Sequence, residues 1–181
     1  MKSVYIMLTR SETILSKLVY LITKDAYTHA SLSFDPDLAT FYSSSRKNGR
    51  TLFPAGPCRE SPNSGYFQRH GHIPCIVYEL HVSEEAYEAA KREVTAIMAE
   101  ADRYHFNIIG LLLCRMGIPY HRKHAFFCSQ FVSEILERSH ALELPKDTSL
   151  MRPMDYARIP RLLCRFKGFV YELTHPTLIA V

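Results

Sequence analysis

The sequence has no tryptophan, no CxxC pair, no glycine-rich phosphate loop and no paired-carboxylate motif. It also lacks an apolar run of about 18 residues, so nothing in it reads as a membrane span. Without the phosphate loop, and without aromatic residues interleaved with basic ones, the common nucleotide- and nucleic-acid-binding signatures are missing. A strong charge excess is absent too. The formal net charge is +4, small and scattered, which tolerates contact with an anionic surface without demanding it. The five cysteines are odd in number and widely spaced. They read as reduced thiols, not as a disulfide framework or a zinc site. The early apolar run Val4 to Leu8 is broken by Thr9-Arg10-Ser11-Glu12, too soon for a secretion signal. The expected location is therefore the cytoplasm.

What is present suits one domain spanning residues 1–181. The chain is long enough for a sizeable core, with 47% hydrophobic and 22% charged residues. Ser3 to Leu8 reads as a buried strand. Ser11 caps a helix bearing Ile14, Leu15, Leu18, Val19 and Ile22 on one face. Thr28 to Phe34 alternates apolar and polar residues, which predicts a strand with His29, Ser31 and Ser33 on its polar face. Asp35-Pro36-Asp37 is a turn, and Leu38 to Ser43 returns as the second strand of a hairpin. Arg46 to Pro74, rich in Gly and Pro, reads as a long surface excursion with little more than a short strand in it.

Cys75 to Val82 predicts a further strand, and Ser83-Glu84-Glu85 opens a helix with Tyr87, Ala90, Val94, Ile97 and Ala101 on one side. A second helix runs over about Asn107 to Met116 and stops at Gly117. In the third, Phe131, Val132, Ile135 and Leu136 form an apolar stripe behind Cys128. Glu143 to Pro160 is a proline-rich loop, and Phe166 to Leu173 a last strand. The order predicts an α+β domain with a mainly antiparallel sheet and helices grouped against it.

Two residues stand out chemically. Cys128 falls in the first turn of its helix, where free N–H groups and the positive dipole end favour a thiolate. Alone, it reads first as a buried packing residue, because free cysteine is among the most buried types. His29, on the polar face of its strand, can take and return a proton. Alone, it reads first as a strand histidine without a role. The pairs His70/His72 and His121/His124 lack the three or four spaced ligands of a zinc site, so no metal or other cofactor is expected. Arg46, Lys47 and Arg50 form a basic cluster suited to an acidic substrate or a lipid headgroup, or to no more than a solvated turn.

The stretches Tyr27-Thr28-His29-Ala30-Ser31-Leu32-Ser33 and Phe127-Cys128-Ser129-Gln130-Phe131-Val132 resemble the two signatures of the permuted papain-like, NlpC-type cysteine hydrolases. The similar branch is the one of the YiiX-like proteins and the lecithin-retinol acyltransferase group, in which a strand histidine precedes a helix cysteine. The resemblance extends over most of the chain. It implies a circularly permuted papain-like fold and an acyl-enzyme on Cys128, with His29 as general base and then general acid. It also implies a polar residue on the strand after the histidine to orient the ring. Ala39 to Ser44 holds no His, Asp, Glu, Asn or Gln, which leaves Ser43, then Tyr42. The implied substrate is a small peptide, amide or acyl compound, cleaved at an amide, thioester or ester bond. Peripheral lipid contact is allowed; nucleic acid is not expected. The alternative is a papain-like fold, weak or inactive in catalysis, that serves as a peptide- or acyl-binding module.

Overall fold

The computed structural model describes residues 1–10, 25–46, 55–70 and 72–173. The helix expected after Ser11, and Lys47 and Arg50 of the basic cluster, lie outside these residues. Its centre is a six-stranded, wholly antiparallel sheet in the order β4-β3-β2-β1-β5-β8. The strands are β1 (Lys2–Thr9), β2 (His29–Ser33), β3 (Phe41–Arg46), β4 (Ala55–Glu60), β5 (Pro74–Val82) and β8 (Leu163–Phe169). The expected α+β class with helices on an antiparallel sheet is what the chain adopts.

Alternation along the strands builds two cores. Val4, Ile6, Leu8, Ala30, Leu32 and Leu80 pack with Ala90, Val94 and Ile97 of α2 (Glu84–Ala99), and with Phe131, Val132, Ile135 and Leu136 of α4 (Cys128–Arg138). Tyr5, Met7, Phe41 and Val77 face the other way, against Phe67 of the short α1 (Gly65–Arg69), Ile73 and Val170. Each large apolar side chain so buried contributes roughly 1.5–3 kcal/mol. Ser83 caps α2 as expected, accepting from the Ala86 N–H at 3.1 Å. The face of β2 that carries Ser31 and Ser33 is polar but buried, not solvated.

The region expected to be an excursion holds β4. Its sequence, Ala-Gly-Pro-Cys-Arg-Glu, has no β-branched or aromatic residue. Proline is tolerated because β4 is an edge strand, where an N–H need not donate to a further neighbour. Gly56 is required: a Cβ there would lie 2.8 Å from the Tyr104 carbonyl oxygen. That close approach seats β4 against a two-stranded parallel unit of β6 (His105–Phe106) and β7 (Ala125–Phe126). Between them runs α3 (Ile108–Arg115), and β7 leads straight into α4. The final strand ends at Phe169, and residues 170–173 form a 3-10 turn where strand was expected. Within the proline-rich loop, a 3-10 turn (Thr148–Leu150) and α5 (Pro153–Tyr156) cover α4 from outside.

Candidate active site

Phe127 is the N-cap of α4 and makes no side-chain capping bond, so Cys128 is the first helical residue. The first intrahelical bond runs from the Phe131 N–H to the Phe127 carbonyl, 2.9 Å. The N–H groups of residues 128–130 thus have no partner within the helix. The Ser129 N–H, and that of Ala30 across on β2, lie near the Cys128 sulfur and favour its thiolate. Every residue from Cys128 to Leu136 is buried, so α4 is enclosed on all sides over that span and not merely laid on the sheet. Its polar side chains are satisfied accordingly. Thr148 donates to Glu134 at 2.6 Å and Asn107 to Gln130 at 3.2 Å, while Tyr156 donates to the Ser129 carbonyl at 2.9 Å.

His29 opens β2 opposite Thr9 of β1. Its ring lies beside Cys128, close enough that each group shifts the titration of the other. Its Nε2 lies 3.1 Å and 3.0 Å from the two carboxylate oxygens of Glu60, at the end of β4. Both side chains of the His29–Glu60 pair are largely out of water, 15% and 13% exposed. Glu60 in turn accepts from the Ser45 hydroxyl at 2.7 Å, and Cys58 lies 3.0 Å from the same hydroxyl.

These contacts set the charges. Burial by itself drives a proton off the His29 ring. The Glu60 charge and hydrogen bonds to Cys128 and Glu60 outweigh it and push the imidazole up to about 10. Burial likewise opposes a thiolate at Cys128, but the His29 hydrogen bond and charge, with the Ala30 and Ser129 N–H groups, hold its pKa below the ordinary thiol value. These contacts favour the thiolate–imidazolium form of the pair. The buried Cys75 and Cys114 go the opposite way, pushed up by burial to about 12 and about 11.

The expected orienting residues need correction. Ser43 is buried and donates to the Ala30 carbonyl at 2.7 Å, so its proton is committed to the backbone. Tyr42 points to the opposite face of β3, where its ring packs beside Phe34 against the helix-side core. The group on the ring is Glu60, which the strand after the histidine does not contain. One signal for it was available: Glu60 is the sole Asp or Glu between Asp37 and Glu79.

The other histidines are dispersed. His70 lies against Tyr66, His72 against Phe169 and Tyr171, His121 against Asp147 and His124 against Tyr104. Among the described residues no three His, Cys, Asp or Glu side chains gather as a metal-ligand set. No protein-family model matches the chain, and no curated protein matches it.

Proposed function

We propose that the chain is a thiol hydrolase or acyltransferase of permuted papain-like fold, acting on an amide, thioester or ester. The observation that carries this reading is the sequence of contacts from Glu60 through His29 to Cys128 at a helix start. A buried, charged relay on a cysteine is costly unless it is used, and perturbed titrations of this kind gather at functional sites.

In this mechanism the Cys128 thiolate attacks the acyl carbon and a C–S bond forms. The developing oxyanion is met by the Cys128 N–H at the uncapped helix start. The His29 imidazolium gives its proton to the leaving amine, thiol or alcohol as that bond breaks, leaving an acyl-Cys128 thioester. Neutral His29 then takes a proton from water, or from an acceptor alcohol or amine, whose attack releases the acyl group and restores the thiolate. Glu60 fixes the ring and stabilises its cationic form through both half-reactions, as a carboxylate does in other triads.

The experiment is intact-protein mass spectrometry during turnover of small thioesters and activated esters. An acyl adduct on Cys128 that forms and decays with product release supports the enzyme. An adduct that never forms, in a protein that still binds the acyl compound, makes the chain a binding module instead.

A further inference from the structure

From the same geometry we infer that α3 is the face by which this protein docks on an anionic lipid bilayer. The helix exposes Ile108, Ile109 and Leu112 at 40%, 53% and 49%; Met116, just past its end, is 69% exposed and Ile118 44%. At about 100° per residue, positions 108, 109, 112 and 116 fall within one arc of about 100°. Gly110 and Cys114 lie on the far side and are buried. Among the described residues, the row is thus a continuous aliphatic face turned to solvent on a folded helix.

Charge identifies the occupant. From Tyr104 to Ser133 the chain carries no Asp or Glu, while Arg115, Arg122 and Lys123 are exposed there. Arg115 borders the aliphatic row on α3, and Arg122 and Lys123 stand on the segment returning to β7. Asp147, on the 3-10 turn packed against α3, has its carboxylate held by His121 and Ser149. A second copy is a poor fit, because a two-fold contact would set these cations against their own kind. The row also lacks the aromatic anchors that dominate protein interfaces. Aliphatic side chains bordered by cations match the acyl–headgroup boundary of an anionic leaflet.

Docking there has a geometric consequence. Asn107 caps α3 by accepting from the Gly110 N–H at 2.9 Å, and it donates to Gln130 of α4 at 3.2 Å. Its own N–H reaches the Phe126 carbonyl at 3.1 Å. The start of the docking helix is therefore tied to the start of the Cys128 helix. The inference stands apart from the thiol chemistry, and its test reads binding alone.

The test is flotation of the whole chain with phosphatidylcholine vesicles, with and without about one third phosphatidylglycerol. The protein should float with the anionic vesicles, not with the neutral ones, and should detach as salt rises. Ile109→Glu with Leu112→Glu should weaken binding about tenfold or more at an unchanged melting temperature. Arg115→Gln with Lys123→Gln, which leaves the aliphatic row intact, should lose the preference for anionic lipid. Cys128→Ala should float like the parent. Failure to float with anionic vesicles, or flotation of both double variants equal to that of the parent, overturns the inference. So does a parent dimer in light scattering that the Glu variant turns into a monomer, which would make this face a self-contact.

Discussion

Glu60 Oε2 lies 3.0 Å from His29 Nε2, although β4 and β2 are not neighbours: β3 runs between them. His29 is the first residue of β2, and Glu60 is the last of β4, paired with Phe41 of β3. Ser45 of β3 bridges the gap by donating to Glu60 at 2.7 Å.

Glu60→Gln should therefore damage turnover far more than Ser43→Ala. The first removes the charge that keeps His29 cationic, and kcat/KM should fall by about a hundredfold or more. The second removes a buried bond to the Ala30 carbonyl, which should cost about 1 kcal/mol of stability with little change in rate per folded molecule. Paired kinetics and thermal melts of the two variants check this. Equal rate losses would return Ser43 to the ring.

Ser45→Ala should give an intermediate effect. Glu60 keeps its charge and its contact with His29, but loses one of the groups that fix its carboxylate. A loss of about threefold to tenfold in kcat, with KM unchanged, is expected. A change in KM alone would mark Ser45 as a substrate contact.

Gly56→Ala should act at a distance. The new Cβ meets the Tyr104 carbonyl oxygen at 2.8 Å, so β4 must shift, and Glu60 sits at its end. A destabilisation of about 1–3 kcal/mol is expected, together with a lower rate at temperatures where the variant is folded. Denaturant melts with steady-state kinetics measure both, and an unaffected rate would separate Glu60 from the mechanism.

Much of this was legible before the structure. The period-two pattern around His29 and the apolar stripe behind Cys128 gave their elements, because burial on one face leaves a regular imprint. Glu60 was hidden for a physical reason. Edge position and packing on β6 hold β4 in place, not propensity, and a strand containing Gly56 and Pro57 reads as loop. The enclosure of α4 was also unreadable. Ser129, Gln130, Ser133 and Glu134 look like a solvated face until Asn107, Thr148 and Tyr156 arrive from distant segments to satisfy or flank them. The paired two-residue strands β6 and β7 are too short to carry any period.

Thiol selectivity follows from the contrast among the cysteines. Iodoacetamide near pH 6, followed by mass mapping, should modify Cys128 before Cys75 and Cys114, whose thiols burial pushes up to about 12 and about 11. Modification of Cys75 or Cys114 first would contradict the charge assignment.

The most direct measurement is the pH dependence of Cys128 alkylation in the parent, in His29→Ala and in Glu60→Gln. A depressed thiol pKa means that the thiolate persists below the ordinary 9.0. The parent rate should then level off at a lower pH than that of a free thiol, which climbs close to tenfold per pH unit from neutral pH toward 9. In Glu60→Gln the imidazolium is weaker and the inflection should move to higher pH. In His29→Ala it should move further, toward that of a free thiol. A parent rate that climbs through this range like a free thiol, or three superimposable profiles, would contradict the relay from Glu60 through His29 to Cys128.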